Sequence, residues 1–191
     1  MASTEPIRSK KQLDLLAGYW LKKGHFRNYT LIVLGVCTAL RISDLLRFTW
    51  GDVYDEDHGV FRSRVTLIEQ KTGKRNTIAL NKKAIYALQL LYPYRRGKFL
   101  FSNNRHNAGP ISRVHAWRII RAAAEASGIE GCIGCHSLRK TFGYHAWVAG
   151  TSPVILMDIY NHSSYEITRR YLGVSQDDRD KVYLNTSFFG A

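Results

Sequence analysis

The sequence predicts a mainly α-helical domain that carries a small antiparallel β-sheet, an α+β class. Apolar residues recur at helical spacing through most of the chain, and strand-like residues are confined to the stretch 50–80. With 45% hydrophobic residues among 191, the chain can bury one good core. We therefore expect a single domain over residues 1–191.

Helical patterns occupy most of the first 50 residues. Ser9-Lys-Lys-Gln12 is a capping-box sequence that opens a first helix, and Gly24 can close it. Residues 28–40 have the composition of a buried second helix. Ser43 is placed to cap a short third helix that runs through Phe48.

The stretch 50–80 has strand character. VFRSRVTLI, residues 60–68, alternates in part between apolar and polar side chains, and residues 76–80 form a second strand-like run. Lys71-Thr-Gly-Lys74 lies between them and is typical of a turn. We expect a mobile hairpin with Lys71 at its exposed tip, where a lysine by itself is usually only a polar turn residue.

The second half of the chain returns to helical patterns after Asn81, with breaks at Pro93, Gly97 and Pro110. We expect further helices over residues 112–127, 137–148, 153–160 and 165–172. A last helix follows Ser175, a suitable cap with acidic residues in the first turn after it.

The charge of the chain indicates a polyanionic partner. Lys and Arg number 28 against 15 Asp and Glu, a net charge of +13 that is spread along the sequence. Simple solubility is the alternative explanation. The first residues lack an apolar signal region, and the longest apolar run, 31–40, is about half of a bilayer span. We expect a soluble intracellular protein without a membrane segment and with reduced cysteines.

The segment GCIGCHSLRK, residues 131–140, contains two overlapping patterns. Cys132, Cys135 and His136 fit C-x-x-C-H, the pattern of covalent haem attachment, or three ligands of a zinc site. Nothing in the sequence directs export, and His145 is too far along for finger-like zinc spacing, so we favour passive thiols. His136 and Arg139 lie three apart at a predicted helix start, where both can approach one anion.

Polar residues at other breaks are individually weak signals. Arg41 directly follows the buried stretch 31–40, so its guanidinium either reaches back to solvent or points at an anion. His162 and Tyr171 lie nine apart around a predicted helix start. Taken together, six residues form an ordered set: Arg41, Lys71, His136, Arg139, His162 and Tyr171.

With this ordered set, the sequence resembles the catalytic domain of the tyrosine recombinases, the phage integrase family. The segments that carry the resemblance are TALRISDLLRFTWGDV, QKTGK, HSLRKTFGYHAW and NHSSYEITRRYLGV, which lie between Thr38 and Val174. The resemblance implies a site-specific DNA recombinase that cleaves and rejoins strands through a 3′-phosphotyrosine intermediate.

The resemblance also implies a role for each residue of the set. Arg41 and Arg139 would neutralise the scissile phosphate, and Tyr171 would be the nucleophile. Lys71 would protonate the leaving 5′-hydroxyl, with Lys74 and Arg75 as alternatives. No metal, ATP or other cofactor is expected.

The two histidines of the set would assist, His136 in proton transfer at the tyrosine and His162 through a hydrogen bond to the phosphate. Asp44 would orient an arginine or remain a solvated carboxylate, and His145 would be either a site residue or a packed core histidine. Lys140 stands where the family commonly has His, and Asn161 where it usually has Gly.

The implied partner is double-stranded DNA, bound by a homo-oligomer that is a tetramer on paired sites, with accessory DNA-bending proteins as further partners. We expect a cytoplasmic, nucleoid-associated protein. Only about 40 residues precede Arg41, so we expect no N-terminal DNA-clamping domain, in a naturally short member or a fragment. The apolar end, Ser187-Phe-Phe-Gly190, would pack on its own subunit or, within the segment 175–191, on a neighbour.

Two other functions share parts of this pattern. A type IB topoisomerase uses the same tyrosine chemistry to relax DNA without strand exchange. A non-catalytic DNA-binding protein would keep the scaffold alone. The short chain disfavours the first, and the intact set of six residues disfavours the second.

Overall fold

The computed structural model describes residues 4–103, 109–174 and 176–186 and confirms the predicted class. The helices in these ranges are α1 Lys10–Lys22, α2 Phe26–Cys37, α3 Ile42–Leu45, α4 Trp50–Val53, α5 Lys82–Leu91, α6 Arg113–Ala126, α7 Cys135–Val148, α8 Pro153–Tyr160, α9 Tyr165–Leu172 and α10 Gln176–Asn185. The strands are β1 Tyr54–Asp55, β2 Val60–Phe61, β3 Arg64–Ile68 and β4 Arg75–Ala79.

The first helix begins as predicted, because the Ser9 hydroxyl accepts a hydrogen bond from the Gln12 amide at 3.3 Å. The second helix ends at Cys37 and not at residue 40. Thr38 caps it by donating its hydroxyl to the Leu34 carbonyl, and Ala39 then turns the chain with φ of 55°. The predicted Ser43 cap is wrong: Ser43 lies inside α3, and the extended residue Arg41 precedes that helix.

The predicted sheet forms as two separate two-stranded antiparallel pairs, β1 with β2 and β3 with β4. In the second pair, Val65 lies opposite Ile78. Residues 50–53 are helical and not strand-like, because the backbone amide and the hydroxyl of Thr49 both donate to the Asp52 carboxylate at 2.7 Å and fix a helix start.

The core is organised around α2, which is buried from Asn28 to Gly35 and contacts α1, α5, α6 and α7. Gly35 allows the closest approach to α7, since a Cβ at this position would lie 2.5 Å from Leu138 Cδ1. This contact places the next residue of α7, Arg139, beside the turn that ends α2.

The segment of residues 4–8 lies across α7. The Ile7 amide donates to the Thr141 hydroxyl at 2.9 Å, and the Ile7 side chain is buried. At the far end of the segment, Arg8 donates to the Gly173 carbonyl at 2.7 Å, just after α9. The start of the described chain is therefore tied to both α7 and the end of α9.

The C-terminal helix is present as predicted over Gln176–Asn185. Its expected cap, Ser175, and the apolar end 187–191 lie outside the described residues. Within the described ranges, no helix is long and apolar enough to cross a membrane.

We predict that Gly143→Ala destabilises the protein by about 1–3 kcal/mol, the usual range for overpacking. A Cβ at position 143 would lie 2.1 Å from the hydroxyl oxygen of Tyr160, whose side chain is fully buried. The free energy of unfolding, measured in urea, reports the loss.

Gly18→Ala is the matched control in α1, where nothing lies within 4 Å of the added methyl group. This variant is expected to gain about 0.5–1 kcal/mol from helix propensity. Equal unfolding free energies for the two variants would contradict the close contact at position 143.

Candidate active site

Arg139 is the most buried of the six predicted site residues, with 1% of its surface exposed. One terminal nitrogen of its guanidinium donates to the Ala39 carbonyl, and the other donates to the Tyr160 carbonyl at 2.8 Å. Its Nε has no hydrogen-bond partner among the described residues. The guanidinium is thus fixed by the ends of α2 and α8 while it retains unsatisfied N–H groups.

The turns that supply these carbonyls have an unusual backbone conformation. Ala39, with φ of 55°, and Asn161, with φ of 51°, are the non-glycine residues with positive φ in the described ranges. Asn is, after Gly, the residue that most readily adopts this left-handed conformation. Asn161, at a position where the family that the sequence resembles usually has Gly, therefore preserves the turn before His162.

Arg41 approaches the same region from the residue before α3. Its Nη1 donates to Glu69 Oε2 at 2.6 Å, and 13% of its side chain is exposed. Glu69 is a site residue that the sequence analysis missed. It continues the inward-facing series Val65, Leu67 and Glu69, and a carboxylate at the third position was the available signal.

Glu69 is buried and accepts hydrogen bonds from four side chains. The donors besides Arg41 are Thr72 at 3.0 Å, Asn76 at 2.9 Å and Asn161 at 3.0 Å. Burial by itself raises the pKa of Glu69, but these hydrogen bonds outweigh it and hold the pKa below its ordinary value. Glu69 is therefore ionised at neutral pH.

Lys71 lies exposed in the turn of the hairpin formed by β3 and β4. Its positive charge adds to the lowering of the pKa of His136 and of His162, after burial and the charges of nearer cations. Lys74 and Arg75 are also exposed. Lys71 therefore stays the predicted acid of the site, with Lys74 and Arg75 as its exposed neighbours in the hairpin.

Asp44 holds the hairpin and does not lie in solvent. It is 1% exposed, and its Oδ1 accepts from the Gln70 amide at 2.9 Å. The solvated alternative is therefore wrong. Arg41, three residues before Asp44, is bound by Glu69, and the hydrogen bond that Asp44 accepts comes from the hairpin backbone.

Tyr171 belongs to a group of three rings in contact, which lie on α8, α9 and the loop between them. The ring centroids of His162 and Tyr171 are 4.7 Å apart, and those of Tyr160 and Tyr171 are 5.3 Å apart. The guanidinium carbon of Arg139 lies 4.6 Å from the Tyr160 ring centroid and 5.8 Å from that of Tyr171. Tyr160 was not predicted as a site residue.

His162 is oriented by Thr168, a buried residue of α9 whose hydroxyl lies 3.0 Å from His162 Nδ1. Burial, followed by the charges of Arg139, Arg41 and Lys71, lowers the pKa of His162 to about 4. The ring is therefore neutral at pH 7. Sequence reasoning missed Thr168 because the contact depends on the turn between α8 and α9.

His136 lies at the start of α7 near the same cations. Partial desolvation lowers its pKa, and so do the charges of Arg139, Lys140, Arg41 and Lys71. Direct contacts bring Arg139, His162 and Tyr171 together, and Glu69 links Arg41 to the turn before His162. His136 and Lys71 are linked to this group through electrostatic effects on the imidazole pKa values.

The remaining candidates lie around this site. Lys140 Nζ is 5.7 Å from the Tyr171 ring centroid and donates to the Thr4 carbonyl at 2.6 Å. His145 Nε2 lies 3.0 Å from the Ile7 carbonyl, so His145 binds the N-terminal segment.

The cysteine pattern carries no metal site in the described part of the chain, where no three His, Cys, Asp or Glu side chains are grouped to hold an ion. Burial raises the pKa of the Cys135 thiol to about 11, so this side chain is a neutral thiol at pH 7.

Comparison with known proteins identifies the family. Residues 8–177 match the phage integrase family. The chain belongs to this family, and its fold is that of a tyrosine recombinase catalytic domain.

Two curated relatives differ in how much of their own length the chain covers. The probable integrase/recombinase YoeC of Bacillus subtilis (strain 168) is 38% identical over 187 residues, which cover 96% of this chain and 97% of YoeC. The tyrosine recombinase XerD of Mycobacterium tuberculosis (strain CDC 1551 / Oshkosh) is 28% identical over 76% of this chain and 47% of its own length. The chain therefore spans nearly all of YoeC and about half of XerD.

Solved structures show the same fold. The XerA recombinase superposes with a TM-score of 0.76 at 19% identity over 98% of this chain and 67% of XerA. The catalytic domain of bacteriophage HP1 integrase superposes with a TM-score of 0.62 at 17% identity over 97% of each chain. At these identities, the similarity establishes the fold alone.

We predict that His162 titrates near pH 4 in the folded protein, far below the ordinary value of about 6.5. The unfolded chain then binds a proton at higher pH than the folded one. The stability contributed by the neutral ring is fully present above about pH 6.5 and is lost as the pH falls toward 4. NMR titration of the ring gives the pKa directly.

The matching stability measurement compares the free energy of unfolding at pH 7 and pH 5. In His162→Asn, the free energy of unfolding should decrease less between pH 7 and pH 5 than in the wild type. In His58→Asn, which changes an exposed histidine, the decrease should equal that of the wild type. An NMR pKa near 6.5 would contradict the burial of His162 among cations.

Proposed function

We propose that this protein is a site-specific DNA recombinase that cleaves and rejoins strands through a 3′-phosphotyrosine intermediate. The observation that carries the proposal is the position of the Arg139 guanidinium, 5.8 Å from the Tyr171 ring centroid, with Arg41 joined through Glu69 to the turn before His162. The net charge of +13 supports DNA as the partner. A structural relative, XerH site-specific recombinase, was solved bound to palindromic difH substrate.

In the proposed first step, the Tyr171 hydroxyl oxygen attacks the scissile phosphorus and loses its proton, with His136 assisting the transfer. The bond between phosphorus and the 5′-oxygen breaks, and its electron pair goes to that oxygen. Lys71 supplies the proton that turns the leaving oxygen into a 5′-hydroxyl. In the second step, a 5′-hydroxyl attacks the phosphotyrosine and restores the phosphodiester.

The two arginines would stabilise the charge that accumulates on the non-bridging phosphate oxygens. Arg139 has an unpartnered Nε, and Arg41 uses Nη1 alone for Glu69, so both retain donors for an anion. Such prepositioned donors contribute about 3–4 kcal/mol each when they meet the charge of a transition state.

His162 would donate a hydrogen bond to the same phosphate. When the Thr168 hydroxyl donates to Nδ1, the neutral ring carries its proton on Nε2 and can donate from there. The low pKa of His162 keeps this ring neutral, so it adds no further charge beside the two arginines.

The reaction we propose needs neither a metal ion nor ATP. The phosphotyrosine bond conserves the energy of the cleaved phosphodiester, and the arginines with Lys71 supply the positive charge that a divalent cation would otherwise provide.

We also propose the assembly expected from the family, a tetramer on paired DNA sites with DNA-bending accessory proteins. The exposed apolar side chains Val182, Tyr183 and Leu184 of α10 support a contact outside the subunit. Residues 1–191 would act in it as a single catalytic domain.

We predict that the protein forms a covalent adduct with a nicked suicide duplex, and that Tyr171→Phe abolishes it. The duplex is first recovered from a randomised pool by binding to Tyr171→Phe protein, because this variant retains every charged group of the site. Gel electrophoresis under denaturing conditions detects the adduct.

Tyr165→Phe is the control, since Tyr165 is an exposed tyrosine at the start of α9. Transfer of the adduct to a new 5′-hydroxyl strand supports recombination, whereas relaxation of supercoiled DNA without transfer supports a topoisomerase. An adduct that survives Tyr171→Phe excludes Tyr171 as the nucleophile.

We predict that Lys71→Ala slows cleavage by about 10²–10⁴-fold, the usual contribution of a general acid. Replacing the bridging 5′-oxygen with sulfur should restore the rate to within a few fold, because a thiolate leaves without protonation. Lys74→Ala is the control and should cleave at the wild-type rate. If cleavage is slow in Lys74→Ala and is restored by the sulfur substrate, the acid is Lys74 and not Lys71.

A further inference from the structure

Glu69 is a buried carboxylate at the centre of the site. Its side chain has no exposed surface, and its two oxygens accept hydrogen bonds from three separate parts of the chain. Arg41 comes from the start of α3, Thr72 and Asn76 from the hairpin, and Asn161 from the turn after α8.

We propose that Glu69 is a positioning residue that holds Arg41, the hairpin with Lys71 and the turn before His162 in one arrangement. The inference rests on the proposed recombinase function for its consequence in catalysis. The coupling between the three parts of the chain is a property of the protein without DNA.

Two carboxylates, one on each side, attach the hairpin to the residues around Arg41. Glu69 reaches from the hairpin to Arg41, and Asp44, three residues after Arg41, reaches back to the Gln70 amide at 2.9 Å. Gln70 is the single residue between Glu69 and Lys71. The base of the hairpin is therefore fixed at two consecutive residues, and Lys71 extends from this fixed base.

The contact with Asn161 extends the arrangement to His162. Asn161 Nδ2 donates to Glu69 Oε1 at 3.0 Å across 92 residues of sequence. Because Asn161 directly precedes His162, the carboxylate constrains the turn that presents the imidazole. Gly would also fit the left-handed backbone at this position, but only a side chain such as that of Asn161 can donate this hydrogen bond to Glu69.

A negative charge is otherwise unfavourable in a site for a phosphate. Burying this ion pair costs desolvation energy, and the carboxylate repels an incoming anion. Glu69 occupies one nitrogen of Arg41, which makes no other hydrogen bond to the described residues, so the remaining N–H groups have a defined direction. The benefit of Glu69 is therefore geometric.

The first test measures amide hydrogen exchange in the DNA-free protein. Glu69→Gln preserves the side-chain volume but replaces one acceptor oxygen with a donor, and should raise the exchange rates of Gln70 and Gly73 at least tenfold. Glu56→Gln, which removes an exposed carboxylate, is the matched control and should leave these rates unchanged.

Asn161→Gly keeps the proposal testable if Glu69→Gln does not fold. Glycine accepts the left-handed turn, so the variant loses only the amide that binds Glu69. Exchange at Gln70 and Gly73 should rise several-fold, although the substitution lies far from the hairpin in sequence. Unchanged exchange in Asn161→Gly and in a folded Glu69→Gln overturns the proposal.

The second test measures catalysis on the nicked duplex. Glu69→Gln should lower the rate of adduct formation at saturating DNA by tenfold or more, with the dissociation constant for DNA within about threefold of wild type. The positioning role would be overturned if the rate of adduct formation fell only in proportion to the fraction of folded protein, so that each folded molecule reacted at the wild-type rate. If wild type forms no adduct, the recombinase function fails, and the exchange rates still decide the coupling.

Discussion

The buried charge of Arg139 is the constraint on which the rest of the site depends. A guanidinium that is 1% exposed must have its N–H groups directed at acceptors, because removing an ion from water costs several kcal/mol. Two main-chain carbonyls, from Ala39 and Tyr160, meet part of this need, and Nε is left for another acceptor. The Tyr160 hydroxyl donates in turn to the Arg139 carbonyl at 2.8 Å, so the ends of α2 and α8 are fixed to α7.

Arg139 also affects the protonation of its neighbours. Burial is the largest cause of the low pKa values of His136 and His162, and the charges of Arg139, Arg41 and Lys71 lower them further. The site therefore concentrates permanent cations and keeps both imidazoles neutral. An anion that enters this region relieves repulsion that the folded protein otherwise carries, which favours binding of a charged phosphate over a neutral group.

Much of this organisation could be predicted from the sequence, and the failures have local causes. The spacing of apolar residues predicted most of the helices and the hairpin, because it depends only on which face of a single helix or strand is buried. The end of α2 was misplaced because Ala39 adopts a left-handed conformation beside Arg139, a partner 100 residues away. The short helix α4 was missed although Thr49 and Asp52 form a recognisable cap.

The six candidate site residues were predicted from their order and from the resemblance to a family, and not from any local pattern. Glu69 escaped notice because its partners Arg41 and Asn161 lie 28 and 92 residues away in sequence. A buried carboxylate between an arginine and three neutral donors is a property of the folded chain. Sequence periodicity indicates only that the position faces inward.

The N-terminal segment connects the start of the described chain mechanically to the tyrosine helix. Arg8 holds the Gly173 carbonyl, two residues beyond Tyr171, and Ile7 is anchored on α7. A displacement of residues 4–8 would therefore act both on α7, which carries His136 and Arg139, and on the end of the helix that carries Tyr171. A bulky tag or tether attached ahead of residue 4 would act on these same contacts. The choice of attachment point can therefore change the activity that an assay measures.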